Sequence, residues 1–126
     1  MKNVERGRFM TTLELAKRTA EILDAKKAED LKVIRIEEIS SLSDYFIIAT
    51  GTSSTHVKSL ADEVEMKLKE QGITPAGVEG YRSNSWILLD YHGIVVHLFT
   101  GEGRAFYDLD RLWVDGKTVE VALQPN

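Results

Sequence analysis

Few side chains in this chain could do chemistry: three histidines, a serine pair and scattered carboxylates, with no cysteine. His92, His97 and Asp90 fall within SWILLDYHGIVVHLF (85–99), its least polar stretch. Imidazoles and carboxylates bind metals, but only when three or four converge on one point. His92 and His97 lie an odd number of residues apart around a turn, and His56 sits near a predicted helix start, so no metal site is expected. Ser53 and Ser54 lie in ATGTSSTH (49–56), which lacks the G-x-S-x-G elbow of a serine hydrolase; N-capping explains them better. Gly51-Thr52, between a predicted strand and a predicted helix, offers backbone amides that could cradle a phosphate. Nucleotidyl transfer also needs two or three carboxylates on neighbouring strands to hold magnesium. Those strands carry only Asp90, and Asp108-Leu109-Asp110 falls in a predicted helix, where i and i+2 point roughly 200° apart. Gly51 is read instead as freeing the backbone to turn into the second helix. The chain is expected to be no enzyme and to use no cofactor, with nucleotide binding at 51–56 as the rival reading.

The bulk numbers fit that expectation. With 126 residues, 43% hydrophobic and 29% charged, the chain suits one domain with one core. A net charge of −4 without a basic run argues against general or sequence-specific nucleic-acid binding, although an acidic protein can still dock on a basic one within a nucleoprotein particle. No apolar run reaches the roughly 18 residues of a spanning helix, and MKNVERGRFM lacks a secretory h-region and does not resemble an Arg-rich transit peptide. Residues 1–9 are expected to be a loose extension and 10–124 the single domain, in a bacterial cytoplasm.

The elements that must position these residues follow from periodicity. TTLELAKRTAEILDAKKAED (11–30) reads as a helix, with Thr11 and Glu14 at capping-box spacing. Residues 31–39 and 43–51 read as strands. Val57, Leu60, Ala61, Val64 and Leu68 recur at helical spacing within 52–72, and Gly72 sits where that helix should stop. Residues 73–85 read as a loop with a short strand near Gly77–Tyr81. Strands at 86–91 and 94–99 follow, then a short helix from near Gly103 ended by Asp115-Gly116, then a strand at 117–123. The order lacks strict βαβ alternation and predicts an α+β domain with helices packed on a mixed sheet.

His92-Gly93 as the centre of a two-residue turn, of type I′ by its glycine, sets the register of the hairpin. Trp86 then faces Phe99, Ile87 faces Leu98, Leu88 faces His97, Leu89 faces Val96, and Asp90 faces Val95. One face, Ile87, Leu89, Tyr91, Ile94, Val96 and Leu98, is apolar and belongs to the core. The other, Trp86, Leu88, Asp90, Val95, His97 and Phe99, mixes aromatic and polar groups. Such a face suits either an interface or a covering third helix. The third helix carries Arg104, Tyr107 and Trp113, which extend the aromatic patch on one reading and form a solvated amphipathic helix on the other.

SDYFIIATGTSSTHVKSLADEV, VEG, SWILLDYHGIVVHLF and RAFYDLDRLW stand in this order and spacing. Together they resemble the ribosomal silencing factor family, also called the Iojap-like family, over about residues 12 to 122. The agreement spans separated blocks: Ser43-Asp44-Tyr45-Phe46, Thr50-Gly51, Glu79-Gly80, Trp86 to Asp90, Val96-His97, Arg104, Tyr107 and Leu112-Trp113. His92-Gly93 departs from the family's usual Gly-polar turn. The resemblance implies a mixed sheet flanked by helices, with a nucleotidyltransferase-like shape lacking the catalytic carboxylates. It implies binding to the large ribosomal subunit through its ribosomal protein number fourteen, steric blocking of small-subunit joining under nutrient limitation, and a homodimer when free. Organellar relatives act in large-subunit biogenesis, which keeps an assembly role as an alternative. On this reading Trp86, His97 and Phe99 anchor the partner, Asp90 and acids of the third helix meet basic groups, and Arg104, Tyr107 and Trp113 complete the surface.

Overall fold

The computed structural model describes residues 10–37, 43–80 and 85–109, and the backbone of 117–118. The elements are α1 (Thr12–Ala25), β1 (Glu29–Arg35), β2 (Tyr45–Gly51), α2 (Ser54–Glu70), β3 (Gly77–Glu79), β4 (Trp86–Asp90), β5 (Ile94–Thr100), α3 (Gly101–Tyr107) and β6 (Lys117–Thr118). The sheet runs β3-β4-β5-β2-β1-β6. β2 and β5 are parallel and the other neighbours antiparallel, so the sheet is mixed as expected. The expected loose segment 1–9, Trp113, the Asp115-Gly116 stop and strand residues 119–123 lie outside the described residues.

The capping box forms. The Thr11 hydroxyl accepts from the Glu14 amide at 3.0 Å, and the Glu14 carboxylate accepts from the Thr11 amide at 2.8 Å. α1 nevertheless stops at Ala25, five residues short of the sequence reading. AKKAED has good helix formers, but tertiary packing overrides propensity. Lys27 takes a positive φ of 67°, and Ala28 and Leu31 turn back onto the core.

α1 and α2 cover one face of the sheet. Val57, Leu60, Ala61, Val64 and Leu68 of α2 are buried against Ile47, Ile87, Leu89, Ile94, Val96 and Leu98. The helical period of 52–72 and the alternation of 86–98 therefore meet in one core. Gly51 does not take a left-handed φ. A Cβ there would lie 2.8 Å from the Val57 amide and from its Cγ2, so the glycine lets α2 pack close to β2 rather than bending the chain. The opposite face holds a smaller core of Ile34, Ile36, Ile48 and Phe99, with Phe46, Trp86 and Leu109 packed on it.

The hairpin register is the one read from the sequence: Trp86↔Phe99, Ile87↔Leu98, Leu88↔His97, Leu89↔Val96 and Asp90↔Val95. The turn is not type I′, which needs positive φ at both central residues. Only His92 is left-handed, with φ 72°. The Gly93 amide donates to Tyr91 O at 3.0 Å, closing a three-residue γ-turn, and the Asp90 carboxylate accepts from the His92 amide at 2.9 Å. Gly93 is required for space instead: a Cβ would meet Thr12 Cγ2 at 2.2 Å.

The third helix is also shorter than expected. The Thr100 hydroxyl caps it by accepting from the Gly103 amide at 3.1 Å, two residues before the predicted start. Asp108 ends it in the left-handed conformation, φ 52°. Its amide still closes on Arg104 O at 2.9 Å. Asp108 is thus a cap rather than a mid-helix residue, and Asp110 lies outside the described residues.

Candidate functional site

The mixed face of the hairpin gathers an aromatic cluster. Trp86 on β4 faces Phe99 on β5, their ring centroids 5.3 Å apart and 27° from parallel. Tyr107 of α3 packs over both, 4.4 Å from Trp86 and 5.9 Å from Phe99. Phe106 lies edge-on to Tyr107 at 5.0 Å, and Phe46 of β2 meets His97 at 4.5 Å. The third helix covers part of this face, as one of the two sequence readings expected. α3 covers its floor, so Phe99 and His97 are buried. Its rim is open: Trp86 and Leu88 are half-buried, Tyr107 is 40% exposed and Phe106 is 80% exposed.

The polar groups of the set have settled roles. The Trp86 indole N–H donates to His97 Nδ1 at 3.1 Å. That bond leaves the imidazole proton on Nε2, which is buried and has no hydrogen-bond partner among the described residues. Burial pushes the His97 pKa down to about 3, so the ring is neutral near pH 7. His97 and Phe99, expected at the surface as anchors, instead support Trp86 and Tyr107 from beneath.

Arg104 also turns inward. Its Nη1 donates to Asp30 O at 2.7 Å and to the Thr50 hydroxyl at 2.9 Å, and its Nη2 lies 3.4 Å from the Asp30 carboxylate. The buried guanidinium ties α3 to β1 and β2, holding Tyr107 over Trp86. Asp90 is half-buried beside the patch and engaged in the turn. The structure thus brings Trp86, His97, Phe99 and Tyr107 into one cluster, with Asp90 and Arg104 fixing its two supports. Leu88, Phe106 and Glu79 border the same cluster; the sequence reading placed Leu88 on this face and Glu79 in a family block, but counted none of the three as partner-binding. Leu88 and Glu79 face each other across β3 and β4, a pairing the alternation of 86–90 alone could not supply.

The phosphate-cradle reading of 51–56 meets a different arrangement. The Thr52 amide donates to His56 Nδ1 at 2.9 Å, and the His56 amide donates to the Ser53 hydroxyl at 3.1 Å. His56 Nε2 lies 2.9 Å from Lys26 O, joining the end of α1 to the start of α2. Two amides that a phosphate would use are therefore engaged within the chain. The adjoining cleft, about 490 Å³ between the starts of α2 and α3, is lined by hydroxyls and Glu102 and, among the described residues, by no Lys or Arg. Among the described residues no three His, Asp or Glu side chains are grouped as a metal would require, and no helix is long and apolar enough to cross a membrane.

Comparison with known proteins completes the description. The family model described as "Ribosomal silencing factor during starvation" matches residues 10–126. The chain is 38% identical over 112 residues to the ribosomal silencing factor RsfS of Halalkalibacterium halodurans, covering 89% of this chain and 96% of that protein. It is 30% identical over 95 residues to the mouse protein named "Mitochondrial assembly of ribosomal large subunit protein 1", covering 73% of this chain and 42% of that one. Among solved structures, a Chromobacterium violaceum protein superposes with a TM-score of 0.80 at 36% identity, covering 91% of this chain and 95% of that chain.

Proposed function

Because the chain belongs to the ribosomal silencing factor family, we propose that it is a non-enzymatic repressor of translation acting on the large ribosomal subunit. It docks on the subunit's ribosomal protein number fourteen in the bacterial cytoplasm, occupies part of the small-subunit contact surface and blocks subunit joining when nutrients are short. The free protein is a homodimer. The observation that carries this reading is the aromatic rim on the hairpin. Interface centres favour large aromatics held in place beside polar groups. Trp86 and Tyr107 are such groups, fixed by His97, Phe99 and Arg104 from below. Asp90 lies beside them; Trp113, grouped with this surface from the sequence, lies outside the described residues. The net charge of −4 suits a basic protein rather than exposed RNA.

The test is sedimentation with separated ribosomal subunits followed by a subunit-joining assay. Wild-type protein should travel with large subunits and slow joining. Trp86→Ala should weaken co-sedimentation by about 2 kcal/mol if the tryptophan is a hot spot. A folded Trp86→Ala that co-sediments like wild type would remove the assignment of this patch.

A second reading is favoured by the mouse relative's name, which points to large-subunit assembly. It uses the same dock. Depletion in rich medium separates the two: an assembly factor leaves immature large subunits there, a silencing factor does not.

A further inference from the structure

A cleft of about 220 Å³ opens beside the aromatic rim, lined by Glu79, Gly80, Trp86, Leu88 and Tyr107. It is smaller than the roughly 300–1,000 Å³ typical of small-molecule sites, so it suits one long side chain rather than a cofactor. Its shape is fixed by backbone. Gly80 has φ +94°, and a Cβ there would lie 1.9 Å from Trp86 O, so the end of β3 is pressed onto β4 where only glycine fits. Trp86 is held by His97 and Tyr107 by the docking of α3, so the aromatic walls are set before anything enters.

The chemistry of the lining is one-sided. Two electron-rich rings and a leucine form the walls, and Glu79 supplies a carboxylate. That carboxylate is exposed and makes no hydrogen bond or ion pair among the described residues. Among the described residues no Lys or Arg lines the cleft. Aromatic faces beside a free carboxylate attract a cation that carries an apolar stem, which is the make-up of a lysine or arginine side chain. A phosphate would be repelled.

We infer that this cleft receives a lysine or arginine side chain of the protein partner, its stem along Leu88 and Trp86 and its charged head at Glu79. The assignment rests on the docking function proposed above and names the chemistry that one part of that dock recognises.

The test measures co-sedimentation of full-length variants with purified large ribosomal subunits at two salt concentrations. Glu79→Gln should weaken binding about fivefold and flatten its salt dependence, the scale of one exposed ion pair reinforced by aromatic contact. Glu79→Lys should weaken it more than about tenfold. Glu70→Gln removes the same charge from the exposed end of α2 and should bind like wild type. Thermal melts of all three variants verify folding. Equal binding by wild type and Glu79→Gln, with wild type still bound, overturns this assignment and leaves the docking function standing. Tighter binding by Glu79→Gln overturns it in favour of an RNA phosphate facing the cleft. Equal losses in Glu70→Gln and Glu79→Gln overturn it in favour of a net-charge effect. Failure of the wild-type protein to sediment removes the docking function and this assignment together.

Discussion

His97 makes acid stability a direct readout of the buried face. In the unfolded chain the imidazole titrates near its ordinary 6.5, whereas in the fold burial holds it at about 3. The folded state therefore binds fewer protons between those values. The stability it protects is present above pH 6.5 and is lost progressively as the pH falls towards 3. Each pH unit in that window costs about 1.4 kcal/mol, so moving from pH 7 to pH 5 costs about 2 kcal/mol from this group alone. For a domain of this size that is a fall in Tm of roughly 8 °C. His97→Gln keeps an acceptor for the Trp86 indole but cannot titrate. Urea unfolding of both proteins at pH 7, 6 and 5 isolates the contribution, because the carboxylates are common to both. The variant will be less stable at pH 7 through imperfect packing, but the gap should close by about 2 kcal/mol by pH 5. A gap that stays constant with pH would mean that the folded imidazole is protonated as readily as the unfolded one, and the buried neutral tautomer would be refuted.

Three further outcomes follow from the geometry. Arg104→Met should destabilise the fold by about 2–3 kcal/mol in chemical denaturation, because Asp30 O and Thr50 lose a buried charged donor; it should also loosen α3, read as faster amide exchange at Phe106 and Tyr107. Gly93→Ala should cost about 1–3 kcal/mol by forcing the new methyl onto Thr12, whereas a replacement chosen only for left-handed φ, Gly93→Asn, should cost no less. Calorimetric titration with ATP and magnesium should give no saturable heat at micromolar concentrations, since the Thr52 and His56 amides are engaged and Glu102 faces the adjoining cleft; tight magnesium-dependent binding would revive the nucleotide reading.

The parts of the fold legible in the sequence are those set by strict periodicity. The alternation of 86–99 fixed which residues face which across the hairpin, because a one-residue slip would turn its apolar face outward. The helical spacing of 57–68 marked the buried stripe of α2 for the same reason. Boundaries were less legible. AKKAED has helical propensity, and nothing local announces that the chain must turn back at Lys27 to feed β1. The aromatic cluster was visible as residue types on one face, but its layering was not. Whether Phe99 is surface or floor depends on where α3 lies, and α3 is placed by Arg104 reaching Asp30 and Thr50, far away in the chain. A lone arginine in an otherwise solvated-looking helix carries no local sign of such a bond. Asp90 was grouped with the patch by face, which is right, yet its carboxylate also serves the His92 amide, a role set by the unexpected γ-turn.

That turn has a mechanical consequence. Hairpin tips are usually the mobile, tolerant parts of a sheet. Here the Gly93 carbonyl accepts from the Asp44 amide at 2.9 Å, the Tyr45 amide at 3.3 Å and the Ser43 hydroxyl at 3.1 Å, while its α-carbon abuts Thr12 at the start of α1. The tip is a socket, not a free end. With β2 and β3 along its flanks, the hairpin enters any encounter already ordered. Little conformational entropy is left for a partner to remove, so more of each contact's free energy can appear as affinity. The same socket makes 92–93 a poor place for an inserted loop or tag, although sequence alone would mark it as the natural one.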